Sequence, residues 1–571
     1  MIRLLIDGLA VDLAANASVS VKRRSPAYLG EKAEVIPGDY TFPFTLPLTA
    51  KNRRALRYPQ RLDNQEPLPT ELPAQLYVGP DLLLNGRVKV QRATARTADV
   101  FLYRNPLAKL SDVLLNETEQ GTVGAGSASE LAALMKATTS APLDHDAIFA
   151  PVYNAGLNEA PDVRVGAHTF MNSWHYDQQR FMTEYHVSPL PRLEPVLRRA
   201  IEGAGYSWDD GLHTTDEMKR QVLVTNRSLQ YEGKLTPRGA LASCLPPTSL
   251  SDLLKSLCRT YCLAPFSDLT GNHLRLQRLG PLAARLPRYD WTAHASHAYE
   301  RSPDGATVKR YEWGEGAYAD SYHLGRWGGT HDATTAEIRD TLKVGGGFEE
   351  GLDPRRLYYL YGKSAVSKYV SIPDLTFWNV TGLDTLNSFG FHANPGDGET
   401  ISPELTPCQT QRVYGIPSGQ DSSVLPTLSD KPLGISGYNS FTGQVTSEEG
   451  DITARLSFYR GLQPSRQGQL YPMVNHNNSD ANHTPIDGER ESLNWQGPDG
   501  LYQRHWRDWD EMLQRAATVK RSFLLPLAQL LDFDFRDKVR VENRNYFVRE
   551  MEFTVTQRGV SPTACTLIAV T

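Results

Sequence analysis

Through the first hundred residues, apolar and polar positions alternate in short runs, the period of a half-buried strand. "IRLLID", "LAVDL", "SVSVKR", "AQLYVG" and "LLLNGRVKVQRATARTADVFLY" all follow it, so residues 1–105 are predicted to be β. In the longest run Asn85-Gly86 predicts a hairpin, because that pair supplies the positive φ angles of a tight turn. One stretch, "FPFTLPL", contradicts itself. Phe42, Phe44, Leu46 and Leu48 alternate on one face, while Pro43 and Pro47 on the other parity remove two ladder donors. Proline belongs on edge strands or at bulges, so the prediction is an edge strand blunted against random strand addition. "TAKNRRALR", just after it, predicts one or two helical turns.

The period then lengthens. In "SPLPRLEPVLRRAIEGAGYSWDDG", Leu193, Val196, Leu197, Ala200 and Ile201 mark one helix face. Pro191 suits its first turn, and Gly203 and Gly205 suit its exit. In "LPPTSLSDLLKSLCRTYCLAPFSDLTGNHLRLQRL", Leu250, Leu253, Leu254, Leu257, Cys258 and Tyr261 form a second stripe, with Ser249 and Asp252 as its cap. That segment turns at Gly271 into a strand with Leu274 and Leu276 inward, giving a helix that covers a small sheet. "GTVGAGSASELAALMKATTSAP" leads into a shorter helix, with Ser127 and Glu130 fitting a capping box. Its glycines lack the GK[ST] ending of a phosphate loop, so the approach reads as a linker or mobile loop. Residues 290–500 are loop-dense between short strands. The ending alternates on Val539, Val541, Tyr546 and Val548 about a turn near Glu542–Asn545, and residues 564–570 read as a last strand. No repeat recurs at a period of 20–50 residues.

Composition narrows the class. The chain has 571 residues, too many for one core, and 44 glycines and 37 prolines that favour short strands and turns. The expected fold is multi-domain and mainly β with α+β parts. Small β-barrel tube-like domains are expected in the N-terminal and the C-terminal or middle regions, with helix-covered small sheets between them. The boundaries drawn are 1–110 for an N-terminal barrel, 111–185 for a linker and short helix, 186–290 for an α+β domain with helices near 191–203 and 249–262, 291–500 for loop-rich β domains, and 501–571 for C-terminal barrel strands. A net charge of −5 disfavours general phosphate tracking. No apolar run approaches a membrane span, and "MIRLLIDGLAVDLAAN" is too short and acid-interrupted for a secretory signal. Cys244, Cys258, Cys262, Cys408 and Cys565 show no disulfide spacing, and Cys258 and Cys262 are expected to be buried and structural.

Candidate chemistry is sparse. "HNNSDANHTPIDGERE" gathers His476, Asp480, His483 and Asp487, metal-ligand types without an HExxH helix or CxxC partner. "WTAHASHAYE" places His294, His297 and Glu300 where a helix would bring them together, and His145 lies in "LDHDAIF". The G-x-S-x-G elbow is absent. The basic cluster Lys51, Arg53, Arg54, Arg57 and Arg61 is read as a solvated face or as a contact with an acidic neighbouring subunit. No residue is assigned a catalytic, cofactor or metal role, and the chain is expected not to be an enzyme.

Three stretches together carry a resemblance: "VIPGDYTFPFTLPLTAKNRRAL", the middle pair of helices with the strand after them, and "DFDFRDKVRVENRNYFVREMEFTVTQRGVSPTACTLIAV". They resemble the baseplate hub proteins of tailed bacteriophages and prophages, over residues 1–110, 185–285 and 505–571. The spacing of Val539, Val541, Tyr546, Val548 and Phe553 is similar to the terminal strands of a tail-tube barrel. The resemblance implies a homotrimer in which two related barrel-like domains per chain present a pseudo-sixfold ring to a sixfold tube. It implies tail-tube, distal-tail and tail-tip or spike proteins as partners, DNA passage through the lumen without sequence-specific binding, and a place in the virion tail. Residues 290–500 match no part of the family. They support the alternative of a receptor- or carbohydrate-binding tail protein with exposed aromatics such as Trp378. A metal-dependent hydrolase using His476 and His483 is the third reading.

Overall fold

The computed structural model describes residues 2–28, 38–61, 71–104, 108–123, 127–154, 170–183, 186–231, 234–235, 239–268, 272–303, 309–311, 313, 330–334, 377–381, 389–390, 399–408, 410–414, 422–428, 433–439, 444–448, 452–482, 484–495, 497–557 and 559–570. They are mainly β, in several sheets.

The largest sheet has 15 strands and draws on both ends of the sequence. Its main path runs Leu9–Ala10, Ile2–Ile6, Leu72–Val78, Asp81–Ala93, Thr97–Tyr103, Tyr40–Thr41, Ser18–Arg24, Arg544–Thr556, Thr563–Val570, Ala517–Phe523, Ala295–Pro303. The N-terminal and C-terminal regions join where Ser18–Arg24 pairs with Arg544–Thr556, antiparallel and in unbroken register from Ser18↔Thr556 to Arg24↔Glu550. Alternation decides the faces. Val19, Val21, Phe553 and Val555 point into one core, while Lys22 and Glu550 pair across the open face at 3.1 Å.

Closed barrels were expected, and no sheet among the described residues closes on itself. The reason is the use of edges. One side of Ser18–Arg24 pairs with Tyr40–Thr41 and the other with Arg544–Thr556, so the two regions fuse into one open sheet.

The "FPFTLPL" stretch is an edge. Phe44–Pro47 pairs with Thr97–Tyr103 on one side, and no other strand among the described residues pairs with it. Leu46 and Leu48 are buried. The helix Ala50–Ala55 follows, capped by the Thr49 side chain. Its Asn52 is fully buried, donating to the Asp12 and Pro47 carbonyls at 2.7 Å each, which staples the helix to the edge.

Asn85-Gly86 is not a turn. Asp81–Ala93 runs straight through it, and the reversals fall at Gly79-Pro80 and at Thr94–Arg96. A Cβ on Gly86 would stand 2.2 Å from the Tyr103 carbonyl oxygen, so glycine is needed here for close backbone approach. The hairpin near Glu542 is as expected. Val541 pairs with Arg544, and Glu542 takes φ +54°.

Both amphipathic helices form. Leu193–Gly203 buries its five stripe residues completely, and Gly205 at φ +84° follows its end. Pro191 does not open this helix. It lies in a two-residue strand paired with Ala147, and Arg192 is the N-cap. Leu250–Tyr261 buries all six predicted positions, and Cys262 ends it at φ +50°. It lies beside a small sheet of Ser207–Asp209, His273–Arg278 and Leu263–Ser267. Thr122 and Val123, in the glycine-rich approach, pair with Gly239–Ala240, and Ser127 caps Ala128–Ser140. Elsewhere Gln221–Thr225 pairs with Ala454–Pro464, which pairs with Leu470–Asn475.

Gly86→Ala is expected to destabilise the fused sheet by about 1–3 kcal/mol, the usual cost of overpacking, and so to lower its urea midpoint. Urea unfolding followed by circular dichroism in the β region checks this. An unchanged midpoint would mean that the two strands separate there at little cost.

Candidate functional site

The residues singled out in the sequence do not converge. His476 lies at the end of Leu470–Asn475, 3.3 Å from Thr410 Oγ1. Burial, with the Arg460 charge adding to it, holds its imidazole down at about 4. Asp480 turns inward on its own loop, its carboxylate accepting from the backbone N–H of Asn482 and Thr484. His483 and the Trp378 side chain lie outside the described residues. His294 sits in a 3-10 turn and His297 in the strand after it, so the helical spacing does not gather them with Glu300. Glu300 instead faces Lys520 at 3.7 Å. The His145 carbonyl accepts from Arg192 at 2.8 Å, a turn-fixing role. Among the described residues, no three His, Cys, Asp or Glu side chains are placed to hold a metal.

All five cysteines are buried, and none is joined in a disulfide. Burial pushes the Cys244 thiol up to about 11 and Cys258 up to about 12, which leaves neither as a nucleophile near neutrality. In the basic cluster, Lys51 pairs with Asp12 and Arg57 with Asp7, each at 3.3 Å. Arg61 stacks over Tyr58, and Arg54 is exposed.

Two polar constellations were not among the sequence candidates. The first centres on Arg460, whose side chain is fully buried over the Phe458 ring. Its Nη1 donates to Glu217 at 2.8 Å and to Glu489 at 2.7 Å. Its remaining N–H groups reach the Asn477 carbonyl at 3.0 Å and the Glu491 carbonyl at 2.5 Å. Arg220 holds the other Glu489 oxygen at 2.6 Å. Glu217 also accepts from the backbone N–H of Arg490 and Glu491, while burial pushes its own proton affinity upward. Burial works against ionising Glu491. Hydrogen bonds from His505 and Arg504, both 2.9 Å, outweigh it and hold the carboxyl at about 2.

The second constellation lines a cleft of about 180 Å³ where the N-terminal strands, the helix-covered sheet and the C-terminal segment meet. Arg23 occupies a core-facing position of Ser18–Arg24 and donates to the Leu530 and Phe533 carbonyls at 2.5 and 3.3 Å. Asp39 lies between Arg23 at 3.6 Å and Arg104 at 2.7 Å. Arg104 in turn reaches the Asp268 carbonyl at 2.5 Å. Every charged group named here is spent on holding segments together, so the cleft is a seam between them.

Comparison with known proteins gives solved structures alone. No family profile matches the sequence, and no curated protein matches it. The prophage MuSo2 43 kDa tail protein from Shewanella oneidensis is similar at TM-score 0.34 and 8% identity, covering 100% of this chain and 97% of that one. The tail protein from Neisseria meningitidis MC58 gives 0.32 and 6%, covering 99% and 95%. Prophage tail protein gp18 from Listeria monocytogenes EGD-e gives 0.30 and 8%, covering 99% and 94%. At such scores the likeness is one of extent along the chain, not of superposable backbone. No helix among the described residues is long and apolar enough to cross a membrane.

Arg460→Ala is expected to destabilise the Ala454–Asn475 region by about 3–5 kcal/mol, because it strands two buried carboxylates. Arg460→Met with Glu217→Gln and Glu489→Gln should recover much of that loss in thermal unfolding. Stability should also fall with acid. His476 and His505 are both held below the ordinary histidine range, so the unfolded chain takes up their protons first. The loss should begin below about pH 6.5 and, for His476, continue to about pH 4. Thermal midpoints measured from pH 7.5 to 4.5 test it.

Proposed function

We propose that the chain is a structural protein of a phage or prophage tail, and that it forms the baseplate hub that closes the tail tube. The observation carrying this reading is where the three hub-like stretches lie. They are far apart in the sequence, yet residues from 1–110, 185–285 and 505–571 share one hydrophobic core. The first and last of these stretches lie side by side in a single sheet, fused at Ser18–Arg24 and Arg544–Thr556. Two strand-rich units abreast in one chain support the expected stoichiometry, in which three chains offer six such units to a sixfold tube. The open face of the sheet pairs Lys22 with Glu550 at 3.1 Å and Arg87 with Glu71 at 3.2 Å, balanced charges suited to lining a lumen through which DNA passes unbound.

On this reading the partners are a tail tube and distal tail protein on one side and a tip or spike protein on the other, and the protein resides in the virion tail. It acts by holding shape, with no turnover.

Mass-resolved chromatography with negative-stain imaging of the full chain tests the proposal. A threefold ring with a central hole is the expected result. A compact monomer at micromolar concentration would overturn the hub assignment.

A further inference from the structure

His505 is buried, and both of its ring nitrogens are taken. Nε2 lies 2.9 Å from Glu491 Oε2, and Nδ1 lies 3.5 Å from Arg278 Nη1. An arginine N–H can only donate, so Nδ1 must present its lone pair and the proton must sit on Nε2, aimed at Glu491. The imidazole is therefore locked in one neutral tautomer. A second proton on Nδ1 would point at a guanidinium.

Among the described residues, the ring's hydrogen bonds are those to Glu491 and Arg278. The charged and titratable groups against the ring are Glu491 and Arg504 on one side and Arg278 and Tyr261 on the other. The Tyr261 ring meets the imidazole edge-on at 5.2 Å, and its hydroxyl bonds to Gln221. Glu491 already serves Nε2 and Arg504. Arg278 cannot swing away cheaply, because its Nε and Nη2 hold the Gly211 and Leu212 carbonyls at 3.2 and 3.1 Å.

The backbone here is unusual as well. Tyr502–Trp506 winds as a π-helix before the α-helix Arg507–Arg515. Such segments hold an extra residue per turn and need side-chain contacts to persist. His505 is one of those contacts, and Trp506 Nε1 donating to the Arg259 carbonyl at 3.1 Å is another. Through Glu491 and Arg278, His505 ties this segment to the 484–495 stretch and to the helix-covered sheet.

We propose that His505, set between Glu491 and Arg278, is an acid-sensitive latch that holds the π-helical segment against the helix-covered sheet and releases it when the ring takes a second proton. Release frees residues 501–515, which lead directly into the Ala517–Phe523 strand of the fused sheet. The change is local, and it differs from the general acid loss to which His476 also contributes.

Hydrogen exchange of the full chain, read by peptide mass spectrometry from pH 7.5 to 5 with rates corrected for intrinsic pH dependence, tests this. Peptides from 497–515 should lose at least tenfold protection as pH falls, while peptides from 544–570 keep theirs. His505→Gln can donate to Glu491 and accept from Arg278, as the neutral ring does, so it should hold 497–515 closed across the whole range. Unchanged protection of 497–515 in the unaltered protein at pH 5 would overturn the proposal. So would an acid response in His505→Gln equal to that of the parent. Should His505→Gln fail to fold, His476→Gln serves instead. A local opening that persists in it supports the latch, and one that disappears assigns the effect to His476 and overturns it.

Discussion

The 15-stranded sheet depends on one strand pairing. Ser18–Arg24 and Arg544–Thr556 lie more than 500 residues apart and meet in seven consecutive cross-strand pairs. Without that ladder the N-terminal strands would end in an open edge, and the C-terminal strands would lose the neighbour that covers Phe553 and Val555. Arg23 reinforces the join from the core side by holding the carbonyls of Leu530 and Phe533. A guanidinium removed from water is tolerable there because Nη1 and Nη2 meet fixed carbonyls and the Asp39 carboxylate lies 3.6 Å from Nε.

Local periodicity made much of the fold legible. The two helical stripes, the alternation of Ser18–Arg24 and the turn after Val541 follow from which positions must leave water. Asn85-Gly86 misled because glycine has two uses. It permits positive φ, and it permits close backbone approach; only the position of Tyr103 shows that the second applies. The barrel expectation failed for a related reason. Alternation tells which face of a strand is buried and says nothing of which strand takes its free edge.

The polar constellations were hidden differently. Arg23 shares the parity of Val19 and Val21, so "SVSVKR" did place a cation on a core-facing position. That was the one available sign. Arg460, Glu217 and Glu489 carry no such sign, because Glu217 meets Arg460 from 243 positions away and Glu489 comes from a separate stretch 29 positions on. Of the histidines that looked like ligands in the sequence, His476 bonds to Thr410 and His145 meets Arg192 through its backbone carbonyl. Among the described residues, buried charges such as Arg23, Asp39, Arg460 and Glu491 join separate segments of the chain.

The fused sheet also sets a timetable for synthesis. The partner of Ser18–Arg24 is made only after some 500 further residues, which at about 5–20 residues per second takes roughly 25–100 s. For that interval the free edge of Ser18–Arg24 is available to any extended chain. Short length, Lys22, Arg23 and Arg24 along it, and the prolines that blunt the nearby Phe44–Pro47 edge are the features that discourage wrong partners. A nascent chain of this protein is thus most exposed to misassembly until Arg544–Thr556 emerges, however stable the finished sheet is.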